Sequence, residues 1–330
     1  MRKEKLVIIT VACEDVKAKD VLDVLRCAKS VQQALLGRKV LAKVVYIEKS
    51  YFSAPGRLEK KIKELESDCV FNLFEGFSTD PDKEAEFAKI IEDTGILFTG
   101  NFSQTLENCL NKQATKDILV RNNISVPQGM FINNINALEG INLSLPLFIK
   151  PCFADASVGI EANSLVASGD DLYKIVDEKL ANFQRGLLIE EFIPGREFNV
   201  GFLGEFPYEL LGVSVMDYSR HQNFVPFLTY AAKWESSRWS FRALVPSCEE
   251  EIEDSMRREI IDIACQAGKA LGCQGYFRVD LRENNGRLFI IDVNPNPDIN
   301  EDSGFMRQAY RKGYSYGDIV ERILNNVVNA

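Results

Sequence analysis

Gly275-Tyr276-Phe277-Arg278-Val279-Asp280-Leu281-Arg282, followed shortly by Leu288-Phe289-Ile290-Ile291-Asp292-Val293-Asn294, decides how the chain is read. Strand alternation puts Arg278, Asp280 and Arg282 on one face of the first segment and the apolar residues on the other. The second segment is apolar until Asp292 and Asn294, and together the two read as a β-hairpin over 275–294. Asp280, Asp292 and Asn294 are hard oxygen donors of the kind an octahedral magnesium ion takes beside substrate phosphates. For the two aspartates to project from one face, paired residue numbers must sum to an even value, so the connecting loop needs an odd number of residues. Asn284-Asn285-Gly286, with Gly286 left-handed, meets that condition; a two-residue Asn285-Gly286 turn meets it only if a bulge elsewhere compensates. The same charges would equally form a solvated ladder of Arg278 and Asp280 beside Asp292.

Working back from the hairpin, residues 249–271 predict a long helix, and 316–328 a closing one. The polar and aromatic stretch 218–240, containing His221, Lys233, Trp234 and Trp239, has no clean periodicity and reads as a long loop or lid. Before it, strands dominate from 187 to 217, and Ser168-Gly169-Asp170-Asp171 opens an amphipathic helix with capping-box spacing. The first hundred residues alternate differently. Strands at 6–10, 40–47, 69–74 and 96–99 are separated by helical patterns such as Val21, Leu25, Ala28, Val31 and Leu35, which predicts a small open α/β unit with a mostly parallel sheet. The boundaries that follow are 1–101, 102–186 and 187–330.

A chain of 330 residues with 46% hydrophobic content buries a sizeable core in two or three lobes. A net charge of -9 without Lys/Arg runs argues against nucleic acid and anionic membrane as partners and for small molecules. The apolar run after Lys5 stops by Glu14-Asp15, too short for a secretory segment or a bilayer span, and reads as the first strand. Eight cysteines without a C-x-x-C pair, and a single histidine, exclude a zinc cluster and predict reduced, mostly buried thiols.

Other polar positions fit a nucleotide. Lys150 ends an apolar strand ahead of the small-residue loop Ala154-Asp155-Ala156-Ser157-Val158-Gly159, where backbone N–H groups can approach phosphate; a plain turn has the same composition. Glu190 and Glu191 close a strand before Pro194-Gly195 and Glu197, placing acceptors where an adenine amino group and ribose hydroxyls could be read, or merely a polar strand end.

In order, these segments resemble the ATP-grasp superfamily, and the D-alanyl-D-alanine ligases within it. The likeness runs from Phe71-Asn72-Leu73-Phe74-Glu75-Gly76 through Gly95-Ile96-Leu97-Phe98-Thr99-Gly100, Asn111-Lys112 and Lys150-Pro151. It continues through Glu190-Glu191-Phe192-Ile193-Pro194-Gly195-Arg196-Glu197-Phe198 to Asp292-Val293-Asn294-Pro295-Asn296-Pro297. The resemblance implies an α/β protein of ATP-grasp fold, with an N-terminal open α/β domain and two α+β lobes enclosing the nucleotide. It implies ATP binding by Lys112, Lys150, Ser157, Glu190, Glu191, Ile193 and Glu197, and metal binding by Asp280, Asp292 and Asn294, with one or two magnesium ions and manganese as a substitute. It gives catalytic roles to Arg278 and Lys233 and substrate contacts to Glu75 and Ser303, the latter equally a helix N-cap.

The activity implied is ATP-dependent joining of a carboxylate to an amine through an acyl phosphate, in a cytoplasmic enzyme with amino-acid-like substrates that is a homodimer by likeness. Departures bear on the substrate. Ala156 replaces the first serine of the family's phosphate loop, Trp234 replaces a tyrosine after the lid lysine, and Glu75 stands where those ligases carry histidine. Its carboxylate could pair with a substrate ammonium, or Glu75 could equally be a helix-capping or structural residue. The readings that remain are an amino-acid ligase of other specificity, a true D-alanine–D-alanine ligase, and a noncatalytic ATP-binding regulatory protein.

Overall fold

The computed structural model describes residues 5–14, 19–216, 218, 225–231 and 252–328. Its first sheet is parallel, in the order β2-β1-β3-β4. Strands β1 (Leu6–Ala12), β2 (Leu41–Ile47), β3 (Cys69–Asn72) and β4 (Leu97–Phe98) are linked by helices α1 (Lys19–Gly37), α2 (Arg57–Glu64) and α3 (Lys83–Thr94). Strand β3 is buried along its whole length, as expected of a parallel strand covered on both faces. One face packs Val31 and Leu35 of α1 against Val7, Ile9 and Phe71; the other packs Leu58, Ile62, Phe87 and Ile91 against Ile8 and Val70.

Helices α4 (Ser103–Leu110) and α5 (Lys112–Arg121) lead into a second sheet of order β5-β8-β6-β7. It comprises β5 (Gly129–Ile132), β6 (Leu147–Pro151), β7 (Leu165–Val166) and β8 (Leu187–Glu191), with α6 (Gly169–Asn182) packed against it. The Ser168 hydroxyl caps α6 by accepting from the Asp170 amide. Strand β8 pairs with both β5 and β6, so the lobe boundary expected at 187 falls inside this sheet. Leu187 and Ile189 join the central core, and the chain changes sheets only between Glu191 and Glu197.

The third sheet runs β10-β9-β11-β12, all antiparallel: β9 (Glu197–Leu203), β10 (Glu209–Met216), β11 (Tyr276–Asn284) and β12 (Arg287–Asn294). Asn284 pairs with Arg287, so the turn is Asn285-Gly286, both left-handed at φ 51° and 75°. The expected three-residue loop is therefore corrected: Asn-Gly is the preferred pair for a two-residue turn whose twist matches the strands. Parity is restored further along. Leu281 pairs with Ile290 but Asp280 pairs with Asp292, leaving Ile291 as the extra residue of a bulge.

Helix α7 (Asp254–Leu271) covers the apolar face of this sheet with Ile260, Ala264 and Ala267. Gly268 lets it approach: a Cβ there would meet the Phe277 ring at 2.4 Å. Its start at Asp254, not 249, corrects the predicted span; residues 249–251 lie outside the described ones. Helices α8 (Gly304–Arg311) and α9 (Tyr316–Val328) then return to the first sheet, where Phe305, Met306, Ile319 and Ile323 join the core of Val7, Ile9 and α1. The described cysteines are free, and those other than Cys13 and Cys265 are buried; Cys248 is outside the described residues. Among the described residues no helix is long and apolar enough to cross a membrane.

Candidate active site

A cleft of about 1190 Å³ is lined by residues of all three sheets. Its floor is the charged face of the third sheet. There β9 aligns Glu197 with Arg282 and Asn199 with Asp280, while β12 sets Asp292 opposite Asp280 and Asn294 opposite Arg278. Arg278 grips Asp280 with two parallel bonds, Nε to Oδ1 and Nη2 to Oδ2, each 2.7 Å. Asn199 and Asn294 donate their amides to the same carboxylate at 2.8 and 3.0 Å. Asp280, Asp292 and Asn294 thus lie together, two carboxylates and an amide, a donor set that fits one hard divalent cation. No group of three or more His, Cys, Asp or Glu that could hold a metal ion by itself occurs among the described residues.

The opposing wall is basic. Lys112, the first residue of α5, is 7% exposed and donates to Asp155 at 2.8 Å and to Asp292 at 3.2 Å. Its position is set by Asn111, whose side chain caps the helix at the Ala114 amide. Burial alone would raise the Asp292 carboxyl, but Lys112, Lys150 and Arg278 together hold it below the usual carboxylate range. Lys150, 7% exposed at the end of β6, pairs with Glu190 at 2.7 Å and donates to the Ile291 carbonyl at 3.1 Å. That carbonyl belongs to the bulged residue, which has left the ladder. The hairpin defect therefore does two things: it turns Asp292 to the cleft and anchors Lys150 above it.

Glu190, 4% exposed, is shared between Lys150 and Lys116, and Lys116 also donates to the Pro127 carbonyl. Burial would push the Glu190 carboxyl up; the two lysines outweigh it and hold it below the ordinary value. Beside it, Phe148 and Phe227 pack edge to face with ring centroids 5.0 Å apart and Phe192 lies 6.4 Å from Phe227, an apolar aromatic wall of the cleft next to the ion pair. Glu197 accepts from Arg282 at 2.9 Å and from the Tyr218 hydroxyl at 3.2 Å. Arg282 also donates to the carbonyls of Ile193 and Pro226 and stacks on Phe192 at 5.0 Å, tying the β8–β9 link to the floor.

Among the expected residues, Lys112, Lys150, Ser157, Glu190, Ile193, Glu197, Arg278, Asp280, Asp292, Asn294, Glu75 and Ser303 all line this cleft. Ser157 sits in a loop where Ala156 and Ser157 are both left-handed, at φ 54° and 63°, a strained geometry for residues with a Cβ. Glu191 also lines the cleft, but its carboxylate accepts from the Ser144 amide at 2.8 Å and its own amide donates to the Gln128 carbonyl at 2.8 Å. Ser303 caps α8 through the Met306 amide, as its alternative reading had it. Lys233, His221, Trp234 and Trp239 lie outside the described residues.

The sequence reading passed over Lys116, Asn199 and Glu84, and gave Arg282 no role beyond its place on the charged face. Lys116 is four residues from Lys112 on one helix face, and Asn199 is two from Glu197 on one strand face, so spacing alone could have found both. Glu84, in the first turn of α3, lines the cleft and accepts from Asn296 at 3.2 Å; burial, with Glu75 and Asp155 repelling, pushes its carboxyl up to about 8.

Residues 119–325 match the family described as D-ala D-ala ligase C-terminus. The chain is 27% identical over 292 residues to a D-alanine–D-alanine ligase of Thermotoga petrophila, covering 88% of this chain and 89% of that one. It is 28% identical over 263 residues to the uncharacterized protein y4sG of Sinorhizobium fredii, covering 78% and 74%. Its fold matches the crystal structure of a D-alanine–D-alanine ligase from Bacillus anthracis complexed with ATP, at a TM-score of 0.75, 18% identity and 98% coverage of both chains.

Proposed function

Because the chain belongs to the D-alanine–D-alanine ligase family of ATP-grasp proteins, we propose that it joins a carboxylate to an amine at the expense of ATP, through an acyl phosphate, on amino-acid-like substrates. The observation that carries this reading is the third-sheet register. It places Arg278 beside Asp280, Asp292 and Asn294 on one face, under Lys112 and Lys150. Binding of ATP alone does not need the arginine; a reaction that develops negative charge on a carbonyl oxygen does.

The base would lie against the aromatic wall of Phe148, Phe192 and Phe227 beside Glu190, with Glu197 accepting from the ribose hydroxyls. Lys112 and Lys150 would meet the phosphates, exchanging carboxylate partners for phosphate oxygens. Magnesium, when held by Asp280, Asp292 and Asn294, supplies neutralising charge to the triphosphate. In the reaction proposed, a substrate carboxylate oxygen attacks the γ-phosphorus and ADP leaves. The amine then attacks the acyl carbon, and the tetrahedral intermediate expels phosphate. Arg278 spends two of its N–H bonds on Asp280 and keeps the remainder for the acyl oxygen. That fixed fork orients a charge-assisted donor without reorganisation. Lys233 is proposed to bridge phosphate and acceptor carboxylate. Positioning, more than covalent chemistry, does the catalytic work here.

The test is magnesium-dependent phosphate release from ATP with D- and L-amino acids and small carboxylates. Substrate-stimulated release is expected. Arg278→Ala is expected to lower turnover about a hundredfold or more, as loss of an oxyanion donor does, while ATP affinity changes far less. Equal loss of both would remove Arg278 from the chemistry.

A further inference from the structure

Lys179, in the last turn of α6, is 6% exposed and lies behind the small-residue loop of 154–159. Its ammonium donates to the Gly159 carbonyl at 2.8 Å and has no carboxylate within ion-pair range among the described residues. Partial charges alone meet it there: that carbonyl and the carbonyl end of its own helix. Burial pulls the ammonium below the ordinary lysine value, against the attraction of the exposed Glu161. The Gly159 carbonyl does not require a full charge. The Ser164 hydroxyl already reaches it at 3.5 Å, and a neutral donor would satisfy it at a lower desolvation cost.

One peptide beyond that carbonyl is the wall of the cleft. Ser157, Val158 and Ile160 line it, while Gly159 between them turns its carbonyl back to Lys179. The Gly159 carbonyl and the Ile160 amide share a peptide plane and point in opposite directions, and that amide donates to the Ser157 carbonyl at 3.0 Å. A chain of two hydrogen bonds therefore runs from Lys179 through one peptide group to Ser157, each bond polarising the next. Ser157 has need of such a hold, because its φ of 63° is one that residues with a Cβ rarely adopt. The loop backbone is also seated closely: a Cβ on Gly159 would meet the Phe183 ring at 2.5 Å and Pro151 at 2.6 Å. We infer, resting on the nucleotide site of the ligase reading above, that Lys179 is a positioning residue for the triphosphate. Through the Gly159–Ile160 peptide it holds Ser157 in the left-handed conformation that presents its hydroxyl to a phosphate. Lys179 touches no substrate atom. The anion that the folded chain withholds from it is supplied across the loop by the nucleotide, so a buried charge that adds little to folding adds to binding.

The experiment is isothermal titration of the full chain with a non-hydrolysable ATP analogue and magnesium, on the parent, Lys179→Met, Lys179→Arg, Ser157→Ala and the Lys179→Met, Ser157→Ala pair. Lys179→Met is expected to weaken binding about tenfold, the size of one charge-assisted hydrogen bond. Its urea midpoint is expected to equal or exceed that of the parent, because methionine fills the space without burying a charge. Lys179→Arg should restore most of the affinity. In the pair the two losses should fall well short of adding, since Lys179 acts through Ser157. Should the methionine variant not fold, Lys179→Gln, a neutral donor, carries the same test with the same expected loss. Unchanged affinity without the charge, a loss that arginine does not restore, losses that add in full, or a urea midpoint that falls in step with affinity each overturns the inference. Phosphate release measured in parallel separates the two claims. Substrate-stimulated release by the parent with affinity unchanged in Lys179→Met keeps the ligase and removes the role of Lys179. A coupled loss of affinity with no release stimulated by any amino acid or carboxylate keeps the role of Lys179 and removes the ligase, and a parent that binds no analogue removes both.

Discussion

At the scale of single residues, the site is organised by charges that share partners. Glu190 is held by two lysines, and each lysine has a backbone carbonyl as well, Pro127 for Lys116 and Ile291 for Lys150. Such a buried array is stable only while complete, because removing one member strands the others out of water. Lys116→Met is expected to cost about 2 kcal/mol of stability, the size of a buried charged hydrogen bond, and to weaken ATP binding with less effect on turnover. The pH dependence has a definite sign. The Glu190 carboxyl titrates below its ordinary value of 4.5 in the folded protein, so its stabilisation is present above that value and lost as pH falls through the lower folded one. With Lys116 gone the folded value rises, and urea midpoints between pH 7 and pH 3 should show the acid loss beginning at higher pH. An unchanged acid profile would mean that Lys150 alone sets the charge of Glu190.

At the scale of elements, the hairpin shows what the sequence made legible and what it did not. Alternation in 276–282 fixed the charged face of β11, and the polar end of β12 marked Asp292 and Asn294. Parity arithmetic correctly required something to reconcile the two strands, but local turn chemistry could not say where. An Asn-Gly pair prefers the two-residue turn, and the compensating bulge at Ile291 lies in a run of apolar residues with no turn former to announce it. What pins it is tertiary: the Lys150 bond to the freed carbonyl, and the Ile290 amide bond to the Ser125 carbonyl at 2.9 Å. Gly286→Ala tests the turn. Its φ of 75° puts a side chain in the left-handed region, so a loss of about 1 kcal/mol is expected in denaturant unfolding. Turnover should stay near that of the parent, because the bulge and not the turn sets the position of Asp292. A large fall in turnover with stability intact would place the register under control of the turn instead.

At the scale of the whole molecule, the cleft exists only where three sheets meet, which is why its ordered motifs were readable one by one while its cross-lobe bonds were not. Asn101 donates to the Tyr276 carbonyl at 3.1 Å and accepts from the Gln274 amide at 2.7 Å, joining the first sheet to the third; Arg185 reaches Asp82 at 2.6 Å, joining the second to the first. None of these pairs has a sequence spacing that betrays it. Lys112 and Lys150 belong to the middle of the chain, but their acidic partner Asp292 and carbonyl partner Ile291 come near its end. A nucleotide bound between them would therefore load two lobes at once and stabilise the folded state by mass action. At a hundredfold excess over its dissociation constant, a non-hydrolysable ATP analogue with magnesium should add about 2.7 kcal/mol, a rise in Tm of about 4 °C for a chain of this length. Removing the metal with EDTA should abolish most of that rise, and Asp292→Asn should do the same with magnesium present, because each leaves the triphosphate without a counter-charge on the third sheet. A thermal shift that survives both would mean that the lysine wall alone holds the nucleotide, and would detach Asp280, Asp292 and Asn294 from metal binding.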